Sequence, residues 1–215
     1  MRMNCRINPH IQEWINIVEN HTYAVCEEQE LLVAHIKRCF ETENIYTDDE
    51  QLEHYIGLAK YFPFETVFPW QKFVIGLHDC TYWRDSGLPR WPDLFCELGR
   101  GAGKDGTIAW ESVCLMSPYN GIREYDVDIC ANNEDQAMRP VRDVIAAFEQ
   151  PEIIKKMKRF FYWTKEQVMS LKNRSCMKGR TNSPKGKDGL RSGICIFNEI
   201  HQYEDYANIN VFTTG

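Results

Sequence analysis

Residues 93–107 read Asp93-Leu94-Phe95-Cys96-Glu97-Leu98-Gly99-Arg100-Gly101-Ala102-Gly103-Lys104-Asp105-Gly106-Thr107. The apolar run over 93–98 predicts a strand, and the segment from 104 onward predicts an amphipathic helix over 104–116. Between them lies a glycine-rich turn closed by a lysine, the layout of a phosphate-binding loop. Gly99, Gly101 and Gly103 can take the positive φ that aims successive backbone N–H groups inward, with Ala102 and Gly106 completing the cradle. Lys104 then stands at a helix N-terminus, where an anion is favoured. Two positions depart from the usual pattern: Leu98 replaces its first glycine, and Asp105 replaces the Ser or Thr whose hydroxyl meets Mg²⁺.

A second motif completes the reading. Gly193-Ile194-Cys195-Ile196-Phe197 is a buried-strand run ending in Asn198-Glu199. Nucleoside triphosphatases place an acidic pair at this carboxyl edge of a parallel sheet. The first member holds the metal, and the second, here Glu199, orients and deprotonates the attacking water. Asn198 is a neutral oxygen donor where a carboxylate is usual. One metal-facing position has therefore gained a carboxylate and the other has lost one, which conserves formal charge if both face the same ion. The alternative is two separate departures and a weak or dead site.

The rest of the chain frames these motifs. Its 215 residues, 43% hydrophobic, with a mean hydropathy of -0.48, describe a globular protein able to bury one substantial core. There is no long apolar run and no apolar N-terminal leader, so the expectation is an intracellular protein away from membranes. Nine cysteines are spread singly without zinc-type spacing, which predicts reduced thiols, with Cys96, Cys130 and Cys195 buried in strands. The net charge is -6, yet residues 155–191 carry twelve Lys or Arg against two acidic residues. The loop from Lys172 to Arg191 has the composition to follow a duplex backbone without reading sequence, with salt-sensitive affinity; a solvated surface is the alternative.

Helices are expected over 10–20, 27–41 and 48–61, the last behind a Thr47-x-x-Glu50 capping box. A further short helix starts near Pro69, with Trp70, Phe73, Val74 and Leu77 on one face. Beyond Pro92, strands at 93–98, 125–131 and 193–198 alternate with helices at 104–116 and 133–149. That order predicts an α/β fold with a mainly parallel sheet. Residues 160–163 and 167–171 read as strands and 173–190 as a loop.

Taken in order, these segments resemble the ATPase domain of phage terminase large subunits. Phe68-Pro69-Trp70-Gln71-Lys72-Phe73 looks like the adenine-side segment and Gly99–Lys104 like the arginine-bearing Walker A loop. Residues 131–137 look like the segment after the second strand, 196–201 like the Walker B strand, and Thr213-Thr214-Gly215 like the coupling motif. The resemblance implies a P-loop NTPase fold of the ASCE type over 62–215 behind a helical prefix of residues 1–61, its sheet cut short at the C-terminal end, with no nuclease domain following. It also implies ATP and Mg²⁺ as ligands. Gln71 would contact adenine, Arg100 and Lys104 the phosphates, Asn198 the metal shell and Glu199 the water. Asp105 and Asn198 depart from the family's pattern, Asp105 joining the metal site only through the charge exchange above, and Trp70 and Gln71 are adenine contacts or ordinary helix-entry packing. Double-stranded DNA, a small terminase subunit and a portal protein are the implied partners, in a ring of copies in the host cytoplasm. Arg139 and Arg142 are candidate fingers for a neighbouring subunit's nucleotide, or solvated helix charges. A different nucleic-acid motor such as a helicase, or a non-catalytic nucleotide-binding module, are the competing readings.

Overall fold

The computed structural model describes residues 5–64, 66–181, 192–203 and 209. They fall into two compact units, one drawn from 1–59 with 64–98 and the other from 60–63 with 99–215. Residues 64–98 fall with the first unit because the helix that begins at Pro69 shares a core with the N-terminal helices. Among the described residues no helix is long and apolar enough to cross a membrane.

The first unit is mainly helical. Helix α1 (Pro9–Glu19) starts where Asn8 accepts a hydrogen bond from the His10 N–H and Pro9 presets the first turn. Its Ile11, Ile15 and Val18 are buried at helical spacing. They meet Val33, Ile36, Cys39 and Phe40 of α2 (Glu27–Thr42) and Phe73 and Leu77 of α4 (Pro69–His78). Each such side chain, fully buried, contributes about 1.5–3 kcal/mol. Gly76 of α4 lets that helix close on α1, since a Cβ there would lie 3.1 Å from Ile11.

Helix α3 (Asp49–Leu58) begins one residue later than the capping box predicted. Asp48, not Thr47, accepts the Gln51 N–H, at 2.9 Å. Thr47 instead ends strand β1 (Ile45–Thr47), which pairs antiparallel with β2 (Thr81–Trp83). Past β2, Arg90 lies 4.9 Å from the Trp83 ring centroid and 5.0 Å from that of Trp91 and forks onto both Glu43 oxygens. That stacked, bidentate arrangement fastens the segment to the end of α2.

The second unit is a five-stranded sheet in the order β4-β5-β6-β3-β7 flanked by helices. Strands β6 (Cys176–Thr181), β3 (Asp126–Ala131) and β7 (Ser192–Phe197) run parallel. Strands β4 (Phe161–Trp163) and β5 (Gln167–Ser170) add antiparallel. The sheet is therefore mixed, not mainly parallel: the turns joining β4 to β5 and β5 to β6 are far too short for the crossover a parallel connection needs. Helix α5 (Lys104–Met116) matches the expected 104–116 span and is buried from Thr107 onward. Helix α6 (Glu134–Phe148) is capped by Asn133, which accepts from the Gln136 N–H, and a short α7 (Ile154–Met157) follows.

Several sequence expectations fail here. Residues 93–98 form no strand ladder, Leu94 and Phe95 are exposed, and Cys96 is exposed as well. An apolar run becomes a strand only where a neighbour takes its backbone groups, and no ladder among the described residues does so. Cys130 is buried as expected, whereas Cys195, on β7 at the end of the described strand order, is half-buried. Conversely, β6 forms inside the expected loop. Its Lys178, Gly179 and Arg180 look loop-like, yet the Arg180 Nε donates to buried Asp128 at 2.7 Å, and the Ser192 hydroxyl donates to the same carboxylate at 2.5 Å. One carboxylate thereby ties the three parallel strands together.

Gly179 explains how α6 reaches the sheet. A Cβ at that position would stand 2.7 Å from the Met138 sulfur and 3.0 Å from the Ala137 backbone. Gly179→Ala is expected to push α6 off β6 and cost about 1–3 kcal/mol, read as a lower urea midpoint with an unchanged slope; an unchanged midpoint would show that the approach is not tight.

Candidate functional site

The glycine turn has the backbone that its sequence demands, with one exception. Gly101 (φ 82) and Gly103 (φ 85) are left-handed, conformations that cost other residues energy, but Gly99 is not. The Ala102 N–H bonds the Gly99 carbonyl at 3.2 Å to close the turn. Gly103 is the N-cap of α5 and Lys104 its first residue. The N–H groups of the first turn have no intrahelical acceptor, and they carry the positive end of a thirteen-residue helix. Such a terminus favours negative charge nearby.

Strand β7 delivers the opposing group. The Asn198 N–H continues its pairing to β3 by donating to the Cys130 carbonyl at 2.8 Å. The chain then turns sharply at Glu199, which sits in the left-handed region at φ 54 and ψ 44. That conformation costs a non-glycine residue about 1–3 kcal/mol, a strain typical of functional turns. The turn is tied down beyond it: Asn132 donates to the Gln202 carbonyl, Gln136 donates to the Gln202 side chain, and the Tyr203 hydroxyl donates to the Cys130 carbonyl.

These two ends meet. Lys104 Nζ donates to Glu199 Oε1, joining residues ninety-five positions apart. His201 Nδ1 lies 3.6 Å from the other Glu199 oxygen. The Lys104 ammonium, first by its hydrogen bond and then by its charge, holds the Glu199 carboxyl below the ordinary carboxylate range; His201 and Arg139 act in the same direction, while burial opposes them.

The neighbouring positions are also occupied in an ordered way. Asp105 Oδ2 faces Arg139 Nη1 at 3.4 Å, while Asp105 Oδ1 is buried with no hydrogen-bond partner. The Asn198 side chain is buried, at 4% exposure, and its Oδ1 also has no partner. Two oxygens suited to a hard cation thus lie unused next to the two residues that form the Lys104–Glu199 pair. The carboxyl of Asp143 is raised, chiefly by burial and then by the charge of Asp105.

The other expected site residues are distributed differently. Arg100 is exposed on the turn, and Ala102 and Gly106 are half-buried beside it. Gln71 and Trp70 belong to the first unit, where the Gln71 oxygen accepts the Phe68 N–H at 2.8 Å and closes the start of α4. Arg142 pairs with Asp135 at the surface. Thr213, Thr214 and Gly215, and residues 182–191 of the basic loop, lie outside the described residues. Two features escaped the sequence reading. Asp128 was visible as a charge inside an apolar strand, whereas nothing local links Arg139 to Asp105, thirty-four positions away.

The depressed Glu199 carboxyl has a checkable consequence. A carboxylate held below its unfolded value, about 4.3 for Glu, contributes stability that is present above that value and lost as pH falls through the folded one. In Lys104→Ala the Glu199 side-chain carboxyl, followed by ¹³C NMR, is expected to titrate at higher pH than in the wild type. An unchanged midpoint would mean that Lys104 is not its partner.

No protein-family model matches the sequence, and no curated protein matches it. Among solved structures, the chain is similar to the crystal structure of the HK97 bacteriophage large terminase, with a TM-score of 0.59 and 16% identity over 78% of this chain and 35% of that one. This chain therefore spans about a third of that protein's length, and the likeness is one of fold. The architecture is a phage large-terminase-like α/β fold, with a mixed sheet flanked by helices.

Proposed function

We propose that this chain is the ATP-hydrolysing motor part of a terminase-type DNA-packaging machine; the family resemblance assigns residues 62–215 to its P-loop domain and 1–61 to a helical prefix, with 64–98 packed in the first compact unit. The observation that carries this reading is the meeting of Lys104, at the head of α5, with Glu199, at the end of β7. A glycine turn leading into a helix binds a polyphosphate, and a carboxylate at the end of the neighbouring sheet sits where the attacking water must be held.

In this reading the N–H groups of the turn from Gly99 to Gly106 cradle the β and γ phosphates. Lys104 leaves Glu199 for the phosphate oxygens, and Arg100 turns inward from its exposed position to add charge as the γ-phosphoryl departs. Glu199, once released, orients and deprotonates the water. Trp70 and Gln71 are assigned to adenine by the family resemblance. The partnerless oxygens of Asp105 and Asn198 fit a hard divalent cation, and Mg²⁺ bound there would neutralise phosphate charge. Thr213, Thr214 and Gly215 are assigned to coupling hydrolysis to movement.

The basic segment from Lys172 to Arg191, apart from Arg180, which Asp128 engages, is assigned sequence-independent contacts to the backbone of double-stranded DNA. The implied partners are a portal protein, a small terminase subunit and further copies in a ring, at work in the host cytoplasm. A second reading, a nucleotide-binding module without turnover, is favoured by one observation: Glu199 is already engaged by Lys104 instead of being free to act as a base.

Phosphate release with Mg²⁺ and duplex DNA separates these readings. DNA-stimulated turnover that falls about 10²–10⁴-fold in Glu199→Gln supports the motor, and tight nucleotide binding without turnover in the wild type supports the module. The same assay tests the carboxylate exchange. Asp105→Ser and Asn198→Asp should each lower activity and the double variant should regain it, whereas an Asp105→Ser variant as active as the wild type would end the exchange hypothesis.

A further inference from the structure

We propose that Arg139 is a positioning residue of the phosphate site, acting within its own chain by holding the Asp105 carboxylate; this rests on the nucleotide-binding reading above. Asp105 is the second residue of α5, where phosphate-binding loops ordinarily present a neutral hydroxyl. A carboxylate there brings negative charge up to a polyphosphate and repels it. A cation from elsewhere in the fold offsets this, and Arg139 is that cation.

The geometry is specific. Arg139 stands on the second turn of α6, a helix fixed against the sheet by the close approach over Gly179 and started by the Asn133 cap. Its Nη1 lies 3.4 Å from Asp105 Oδ2, while Oδ1 of the same carboxylate is buried without a partner. One oxygen is held and the other is left available, the arrangement by which an outer partner orients a ligand toward a cation.

The charges around Arg139 agree. Asp143, one turn further along α6, has its carboxyl raised chiefly by burial and then by Asp105, while Arg139 works against the rise. Arg139 also bears on Glu199 at the end of β7. Arg139 thus contacts Asp105 directly and lowers the carboxyls of Asp143 and Glu199 by its charge alone. Arg142, three residues on, pairs within its own helix, with Asp135, whereas the partner of Arg139 lies on α5.

The role differs from that of a finger reaching a neighbouring subunit, because the partner is Asp105 of the same chain. It makes Arg139 necessary only because residue 105 is acidic. Replacing Asp105 by a neutral residue removes the need for Arg139, and this conditional dependence separates positioning from a direct phosphate contact.

The test is calorimetric titration of a non-hydrolysable ATP analogue with Mg²⁺ into wild type, Arg139→Ala, Arg139→Lys, Asp105→Ser and Arg139→Ala/Asp105→Ser. Arg139→Ala is expected to weaken binding at least fivefold and Arg139→Lys to recover part of the loss. In the Asp105→Ser background Arg139→Ala is expected to change affinity less than twofold. Unchanged affinity in Arg139→Ala, or an equal loss in both backgrounds, would overturn the positioning role while leaving the nucleotide site standing. A wild type that binds no better than Lys104→Ala would overturn the nucleotide reading itself, and the role of Arg139 with it.

Discussion

The charge pair between Lys104 and Glu199 is the contact on which the site depends, because it joins the two halves that chain order keeps apart. Each half is shaped to reach it. Gly101 and Gly103 accept left-handed backbone so that Lys104 can open α5 at the right place. On the other side, β7 lies parallel to β3, and the chain turns in left-handed backbone at Glu199, whose carboxylate meets Lys104. The strain is offset by the bonds that fasten residues 202 and 203 to Asn132, Gln136 and Cys130.

Around that pair the charges are closely balanced. Glu199, Asp105 and Asp143 supply the negative charge, and Lys104 and Arg139 the positive, with His201 beside Glu199. A site meant for a polyphosphate would ordinarily carry a positive excess. Here Lys104 and Arg139 each already have a carboxylate partner, so in the proposed reading an incoming phosphate would exchange with protein groups at these two cations, with Arg100 exposed on the turn. The sheet beneath supports this arrangement with its own buried charge, Asp128, which is satisfied by Arg180 and Ser192.

What the sequence revealed follows the reach of each interaction. Helix 104–116 was legible because its start is set by a glycine turn and its body by apolar periodicity, both local. The strands at 126–131 and 192–197 were legible as short apolar runs. Residues 93–98 carry the same pattern yet stay outside any ladder, since hydrophobic composition does not say whether a strand neighbour exists. Strand β6 failed in the opposite direction: Gly179 is small because α6 passes over it, and Arg180 is charged because Asp128 waits in the next strand. Neither reason is written nearby in the chain. The site was read on the same terms. Lys104 and Glu199 were singled out from their local motifs, and their side chains meet, whereas the link from Asp105 to Arg139 crosses between two helices and left no local mark.

The account is tested most directly by a crystal structure with a non-hydrolysable ATP analogue and Mg²⁺. It predicts the β and γ phosphates within hydrogen-bond reach of the turn's N–H groups and Lys104 Nζ, with Lys104 withdrawn from Glu199 and the Glu199 carboxylate facing the γ-phosphate. Nucleotide bound elsewhere, or bound with the Lys104–Glu199 pair intact, would contradict it.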